Sequence, residues 1–189
     1  MSSQTHPTHT PVMSEEVISL LDVNPNGKYV DGTCGLGGHS RLIQKELSKE
    51  GLLIALDLDQ EAIGKCKNSL DWSKSRLHLE KSSYSNLPII LDKLKIKKID
   101  GILLDLGLSS MQLDSLDRGF SFKKDSFLDM RFDKNSAFSA ADIINRSSES
   151  ELADIIYNYG EERRSRSIAS RITKTRPILN VRDLVDAIK

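Results

Sequence analysis

The stretch Val30-Asp31-Gly32-Thr33-Cys34-Gly35-Leu36-Gly37-Gly38-His39 decides how the rest of the sequence is read: an apolar run ends in a carboxylate and breaks into glycines. Glycine tolerates positive φ and lets a ligand approach the backbone without meeting a Cβ, so Gly35, Gly37 and Gly38 predict a turn built for close contact. Immediately after it, Leu42, Ile43 and Leu47 form a helical stripe, which places the glycines between a strand and a helix N-terminus. Further on, Gly51-Leu52-Leu53-Ile54-Ala55-Leu56-Asp57 is a second apolar run ending in a carboxylate.

Counting from Gly35, the last position of a dinucleotide fingerprint G-x-G-x-x-G falls on Ser40, and no Gly-Lys-Ser/Thr follows to make a P-loop. What remains is a pair of strands with acidic tips. A carboxylate ending the second strand, Asp57, accepts hydrogen bonds from both hydroxyls of a ribose, while one ending the first, Asp31, can face an ammonium group. That pair suits S-adenosylmethionine. Two plainer readings stand beside it: Asp31 and Asp57 as caps of the helices that follow, and a parallel-sheet NAD-dependent oxidoreductase, against which Ser40 argues.

The chain of 189 residues is long enough for one good core, or one domain with an appendage. Its 27 basic and 27 acidic residues cancel, so any nucleic-acid contact must come from a local patch rather than a global field. Cys34 and Cys66 lack metal-ligand spacing, and no signal peptide or long apolar span is visible, which together fit a reducing cytoplasm without membrane contact. His6 and His9 lie in a polar tail, residues 1–10, with no further ligands nearby, so no metal is expected.

Along the chain, Ser14 reads as the N-cap of a helix ending before Asn24-Pro25-Asn26-Gly27. Strands over 28–31, 52–57, 76–80 and 99–106 then alternate with helices over 39–49, 60–70 and 86–94. This βαβ order gives a parallel sheet whose ligands bind beyond the carboxyl ends of the strands, where Asp31, Asp57, Ser82 to Tyr84, and Asp105 fall. Past residue 106 the alternation stops. A long polar stretch over 107–135 leads into helices announced by capping boxes at Ser139 and Ser148, one over 161–174, and a last from Asn180. The expected organisation is a tail, 1–10; a Rossmann-like domain, 11–114; and an inserted helical subdomain, 115–189.

Several colinear motifs now carry a resemblance: His9-Thr10-Pro11-Val12-Met13, Asp31 to Ser40, Asp100-Gly101-Ile102-Leu103-Leu104-Asp105-Leu106-Gly107-Leu108-Ser109-Ser110, Gln112-Leu113-Asp114, Arg118-Gly119-Phe120-Ser121-Phe122, Leu128-Asp129-Met130-Arg131 and Tyr159-Gly160-Glu161-Glu162. In these the chain resembles the RsmH (MraW) family over residues 9–189. The resemblance implies a class I methyltransferase fold and S-adenosylmethionine as cofactor. It implies methylation of the N4 amino group of a decoding-region cytidine in small-subunit ribosomal RNA, free or within a 30S subunit, and no DNA or membrane partner. It also implies that Gly37, Gly38 and His39 touch the cofactor from the loop, Asp57 its ribose, Tyr84 its adenine side, and Asp105 and Gln112 its reacting end. Members of that family resume the sheet after the helical insertion, whereas this chain stops inside it. An incomplete sheet and a catalytically inactive cofactor-binding module are therefore also expected possibilities.

Cytosine N4 is a poor nucleophile because its lone pair is delocalised into the ring. Acceptors on its N–H groups oppose that delocalisation and take the proton, and Asp105, at the end of the fourth strand, is the candidate catalytic acceptor; a cofactor-orienting or capping role is the alternative. Arg163, Arg166 and Lys174 share one side of a helix whose other side carries Ile168, Ala169 and Ile172, so that side is either an RNA contact or a solvated face. Phe120 and Phe122 are offered for base stacking, with core packing as the alternative.

Overall fold

The computed structural model describes residues 11–189 and divides after Gly107 into two compact units. The first holds four strands, β1 (Lys28–Asp31), β2 (Leu52–Asp57), β3 (Arg76–Lys81) and β4 (Gly101–Leu103), in the order β3-β2-β1-β4 with every pairing parallel. Helices α1 (Ser14–Leu21), α2 (Gly38–Glu46), α3 (Gln60–Ser69) and α4 (Leu87–Lys93) connect or flank them, and a 3₁₀ turn spans Tyr84–Asn86. This is the Rossmann-like α/β arrangement that the alternating pattern predicts.

The period of two along the strands sorts their side chains to the sheet's two faces. Tyr29, Leu53 and Ala55 pack with Ile43 and Leu47 of the α2 segment and with Ile63 and Cys66 of α3. Val30, Leu52, Ile54 and Leu56 pack on the other face with Leu87 and Ile90 of α4. Both faces are covered, so β2 is apolar up to its closing aspartate and β1 is buried from Tyr29 onward, as parallel strands packed on both sides must be.

Element ends differ from expectation where the chain finds other partners. β4 is shorter than 99–106 because the Asp100 carboxylate accepts the Lys28 N–H at 2.7 Å at one end, and the Asp105 N–H donates to Thr33 Oγ1 at 2.8 Å at the other. Ser14 does not cap α1. Its hydroxyl donates to the Pro11 carbonyl at 2.6 Å, and Met13, in the left-handed region, is the capping residue. α2 stops at Glu46 because Leu47 is extended and Ser48 N–H turns to the Pro25 carbonyl.

The second unit is helical: α5 (Ser110–Asp114), α6 (Ala140–Arg146), α7 (Glu149–Gly160), α8 (Ser165–Thr175) and α9 (Val181–Ile188). Its core joins Leu128, Ala141, Leu152, Ala153, Ala169, Ile172, Ile178 and Val181. Both capping boxes form, at Ser139 with Asp142 and at Ser148 with Glu151. The polar stretch before them is ordered around buried Arg118, which donates to the Arg131 and Phe132 carbonyls at 2.9 and 3.1 Å. Phe120 packs on Phe132 with centroids 5.4 Å apart, so of the two rings offered for stacking only Phe122 faces solvent.

Gly119, at φ 70°, threads this knot: a Cβ there would stand 2.6 Å from the Phe127 carbonyl oxygen and 2.9 Å from the Asp129 nitrogen. Gly64, inside α3, has open space around it. Gly119→Ala is expected to destabilise the helical unit by about 2 kcal/mol or more, whereas Gly64→Ala should stabilise the first unit by roughly 0.5–1 kcal/mol. Urea unfolding followed by circular dichroism checks both signs.

Candidate functional site

The glycine loop is held by backbone donors reaching the two strands that flank β1. Gly32 N–H donates to the Leu103 carbonyl of β4, and Cys34 N–H to the Leu56 carbonyl of β2, both at 2.9 Å. Gly35 N–H donates to Asp57 Oδ2 at 2.9 Å, while Asp57 Oδ1 accepts from Asp59 N–H at 2.9 Å. Asp57 therefore fixes the loop and still has a second lone pair on each oxygen. The cap of α3 is Asp59, which accepts the Glu61 N–H, so the reading of Asp57 as a helix cap does not hold.

Gly37, at φ 83°, is the residue before α2, and a Cβ on it would meet Ser69 and Cys66 of the α3 helix. α2 thus begins without a side-chain cap, leaving its first N–H groups at the sheet's carboxyl edge. Gly38 lies under Pro11, whose Cβ would be 3.2 Å from any Cβ at that position. His39 is buried, with Nε2 2.8 Å from the Val12 carbonyl and Nδ1 3.7 Å from Asp105 Oδ2. The Asp105 side chain is 48% exposed, so it is the accessible member of that pair. Tyr84 is also exposed at this edge, its Cβ backing Gly32.

Asp31 is placed differently from the other acids. Only 1% exposed, it lies beneath the loop, accepting the Ser40 hydroxyl at 2.6 Å and the Thr33 N–H at 3.2 Å. In the sequence Ser40 served only to argue against a dinucleotide loop, although it sits on the first turn of the next helix, where a hydroxyl can reach back to the strand's end. Burial pushes the Asp31 carboxyl up to about 6, against the opposing pull of Ser40, Thr33 and His39. Cys34 is inert by comparison: its hydrogen-bonded contact with Cys66, and then burial, push its thiol far up.

The first unit therefore gathers Asp31, Gly35, Gly37, Gly38, His39, Asp57, Tyr84 and Asp105 at one edge. Gln112 and the three basic candidates belong to the helical unit. Gln112 is buried and completes a capping box, its side-chain oxygen accepting the Ser109 N–H at 3.0 Å. Arg163 lies in the turn before α8 and Arg166 in that helix's first turn. Lys174 is roughly 12 Å further along it by helical rise, over a groove that also holds Asp183 and Asp186. His6 and His9 lie outside the described residues. Among the described residues, no cluster of three or more His, Cys, Asp or Glu could hold a metal, and no helix is long and apolar enough to cross a membrane.

The Asp31 environment fixes a pH dependence. Between about pH 4 and pH 6 the folded chain keeps the Asp31 proton that the unfolded chain releases, so this group's contribution is fully present below pH 4 and is lost as pH rises through 6. Going from 3.8 to about 6, at ~1.4 kcal/mol per pH unit, makes that loss about 3 kcal/mol. Asp31→Asn should gain on the parent by up to that amount between pH 4 and pH 7, measured by urea unfolding at each pH. Parallel stability profiles would contradict the assignment.

With the geometry in place, comparison with known proteins gives a consistent picture. The profile of the MraW methylase family matches residues 6–189. The chain is 49% identical over 183 residues to the ribosomal RNA small subunit methyltransferase H of Caldicellulosiruptor saccharolyticus, covering 95% of this chain and 59% of that protein. It is 44% identical over 181 residues to the protein of the same description from Mycoplasma mycoides subsp. mycoides, covering 96% of this chain and 59% of that one. The chain thus spans about three-fifths of the length of the curated relatives it matches. By the reach of the profile and by these identities, it belongs to the MraW methylase family.

Proposed function

We propose that the carboxyl edge of the sheet binds S-adenosylmethionine and serves methylation of small-subunit ribosomal RNA, at the N4 amino group of a decoding-region cytidine. The observation that carries this reading is Asp57: its carboxylate ends β2, holds the Gly35 amide, and retains lone pairs for two ribose hydroxyls. The residues present fit the cofactor. The first N–H groups of α2, from Gly38 and His39, suit its carboxylate, and the absence of a Cβ at Gly35, Gly37 and Gly38 lets it approach the loop. Tyr84 offers an exposed ring for the adenine. Asp31, buried beneath the loop, acts on the cofactor's ammonium through the field of its charge.

When bound, S-adenosylmethionine supplies an electrophilic methyl group on sulfur. The chain's task is then alignment and proton acceptance. Asp105, exposed beside His39, accepts a hydrogen bond from the amino group under attack. That bond strengthens as positive charge develops on nitrogen, so Asp105 acts mainly on the transition state. The Asp105 backbone is held by its N–H donating to Thr33 Oγ1, while His39 is anchored on the Val12 carbonyl with Nδ1 3.7 Å from Asp105, beyond hydrogen-bond reach. RNA is held by Arg163, Arg166 and Lys174, whether the substrate is free RNA or a 30S particle. A binding module without turnover is the second reading, because the acids and glycines at the sheet edge are enough to hold a cofactor, whereas turnover also needs an RNA amino group brought to Asp105.

Titration calorimetry should give binding of S-adenosylmethionine and none of NAD. Asp57→Ala should weaken that binding by roughly tenfold to more than a hundredfold, the loss of charge-assisted bonds worth ~1.5–3 kcal/mol each. An unchanged dissociation constant removes Asp57 from the site.

Asp105→Asn should leave cofactor affinity nearly intact while the single-turnover methylation rate falls by on the order of 10²–10³. Nucleoside analysis of the treated RNA separates the two readings, because a binding module gives calorimetric heat without methylcytidine.

A further inference from the structure

The fold employs some of the arginines in the helical unit and leaves others idle. Arg118 holds the loop carbonyls, Arg131 pairs with Asp129 at 2.7 Å, Arg171 donates to the Ile188 carbonyl at 3.1 Å, and Arg176 donates to the Ile144 and Ser147 carbonyls at 2.6 Å. Arg163, Arg164 and Arg166 are exposed and their side chains meet no partner among the described residues. They open a run from Arg163 to Arg182 that carries seven basic residues and no acid, in a chain whose charges cancel only when this run is counted. Directly before them, at the end of α7, Tyr159 is 87% exposed.

This corner is fixed rather than loose. Glu161 ends α7 in the left-handed region, its N–H donating to the Tyr157 carbonyl at 3.0 Å. The Glu162 carboxylate accepts the Arg164 N–H at 2.7 Å, and the Glu162 carbonyl accepts the N–H of buried Ser165 at 3.1 Å. Below it, Leu152 and Ala153 of α7 share a core with Ala169 and Ile172 of α8. The backbone that carries the wet ring and the idle guanidinium groups is already fixed, so a ligand would have to order only their side chains.

We propose that the α7–α8 corner is a single-stranded RNA site: Tyr159 stacks an unpaired base while Arg163, Arg164 and Arg166 contact the phosphates on either side of it. An aromatic face takes any base whose own face is free, and bases in a duplex have none to offer; an acidic peptide would use the arginines but gain little from the ring. The inference rests on the RNA-methylating reading and extends it, since it separates the corner from Lys174 and assigns the exposed ring a partner.

Fluorescence anisotropy of the 189-residue chain with a labelled, unstructured 12-nucleotide RNA tests it, with the same RNA annealed to its complement and with poly-glutamate as competitors. The single strand should bind more tightly than the duplex and resist poly-glutamate. Tyr159→Ala should weaken binding by about fivefold to a hundredfold, Tyr159→Phe should retain it, and Arg163→Ala should lower the salt slope by roughly 0.7. Lys97→Ala, in the other unit, is the control. Absence of RNA binding, equal affinity for duplex, full displacement by poly-glutamate, or a Tyr159→Ala variant that melts and binds like the parent would each overturn the site. Cofactor calorimetry on the same samples tells the two ideas apart: cofactor binding without an effect at Tyr159 defeats this inference alone, whereas loss of RNA at Tyr159 without cofactor binding defeats only the methylation reading.

Discussion

The backbone amides of residues 32 to 35 have to find acceptors, and they find them on both neighbours of β1. Gly32 reaches β4, Cys34 reaches β2, and Gly35 reaches the Asp57 carboxylate that ends β2. An amide buried without an acceptor costs on the order of 1–3 kcal/mol, so the loop's course is dictated by where the parallel ladder leaves its terminal carbonyls. The register Asp31↔Ala55 and Asp31↔Leu103 is what puts those acceptors within reach. Break either pairing and the loop loses its floor, and with it the uncapped start of α2.

Asp31 is the cost of this arrangement. A carboxyl 1% exposed is retained at the end of the central strand because Ser40 and Thr33 bond it, and those bonds tie the start of α2 to the strand. Burial still outweighs them, as the rise of its carboxyl to about 6 records. Asp57 and Asp105 illustrate the opposite solution. They stand on either side of β1, Asp57 closing β2 and Asp105 two residues past β4, where solvent reaches them. Three acids at one edge thus sit in different surroundings, one sealed beneath the loop and two within reach of solvent.

Much of this was legible in the sequence, for identifiable reasons. β1 and β2 came out with their observed bounds because the pair Tyr29-Val30 and the run Leu52 to Leu56, each between turn signals and closed by an aspartate, leave little freedom. The capping boxes at Ser139 and Ser148 were equally plain, since both partners lie three residues apart. What escaped were features decided by distant partners. The short β4 depends on Asp100 meeting Lys28 and Thr33 meeting the Asp105 amide. The short helix α5 and the Arg118 knot arise inside a polar stretch with no hydrophobic period to betray them, the knot being closed by carbonyls 13 and 14 residues away. Of the candidate site, the strand-end acids and the glycines could be read directly. The ring at Tyr159 could not, because exposure is a property of packing rather than of residue type.

The central claim is that the ends of β1, β2 and β4, joined by the glycine loop, form a single S-adenosylmethionine site. Amide shifts in a ¹⁵N-labelled chain, followed by NMR as S-adenosylmethionine is added, address it most directly. The account predicts that the largest changes fall on Gly35, Gly37 to Ser40, Asp57 to Asp59, Tyr84 and Asp105, and that NAD at the same concentration moves none of them. Changes absent from the loop, or equal changes with both nucleotides, would contradict it.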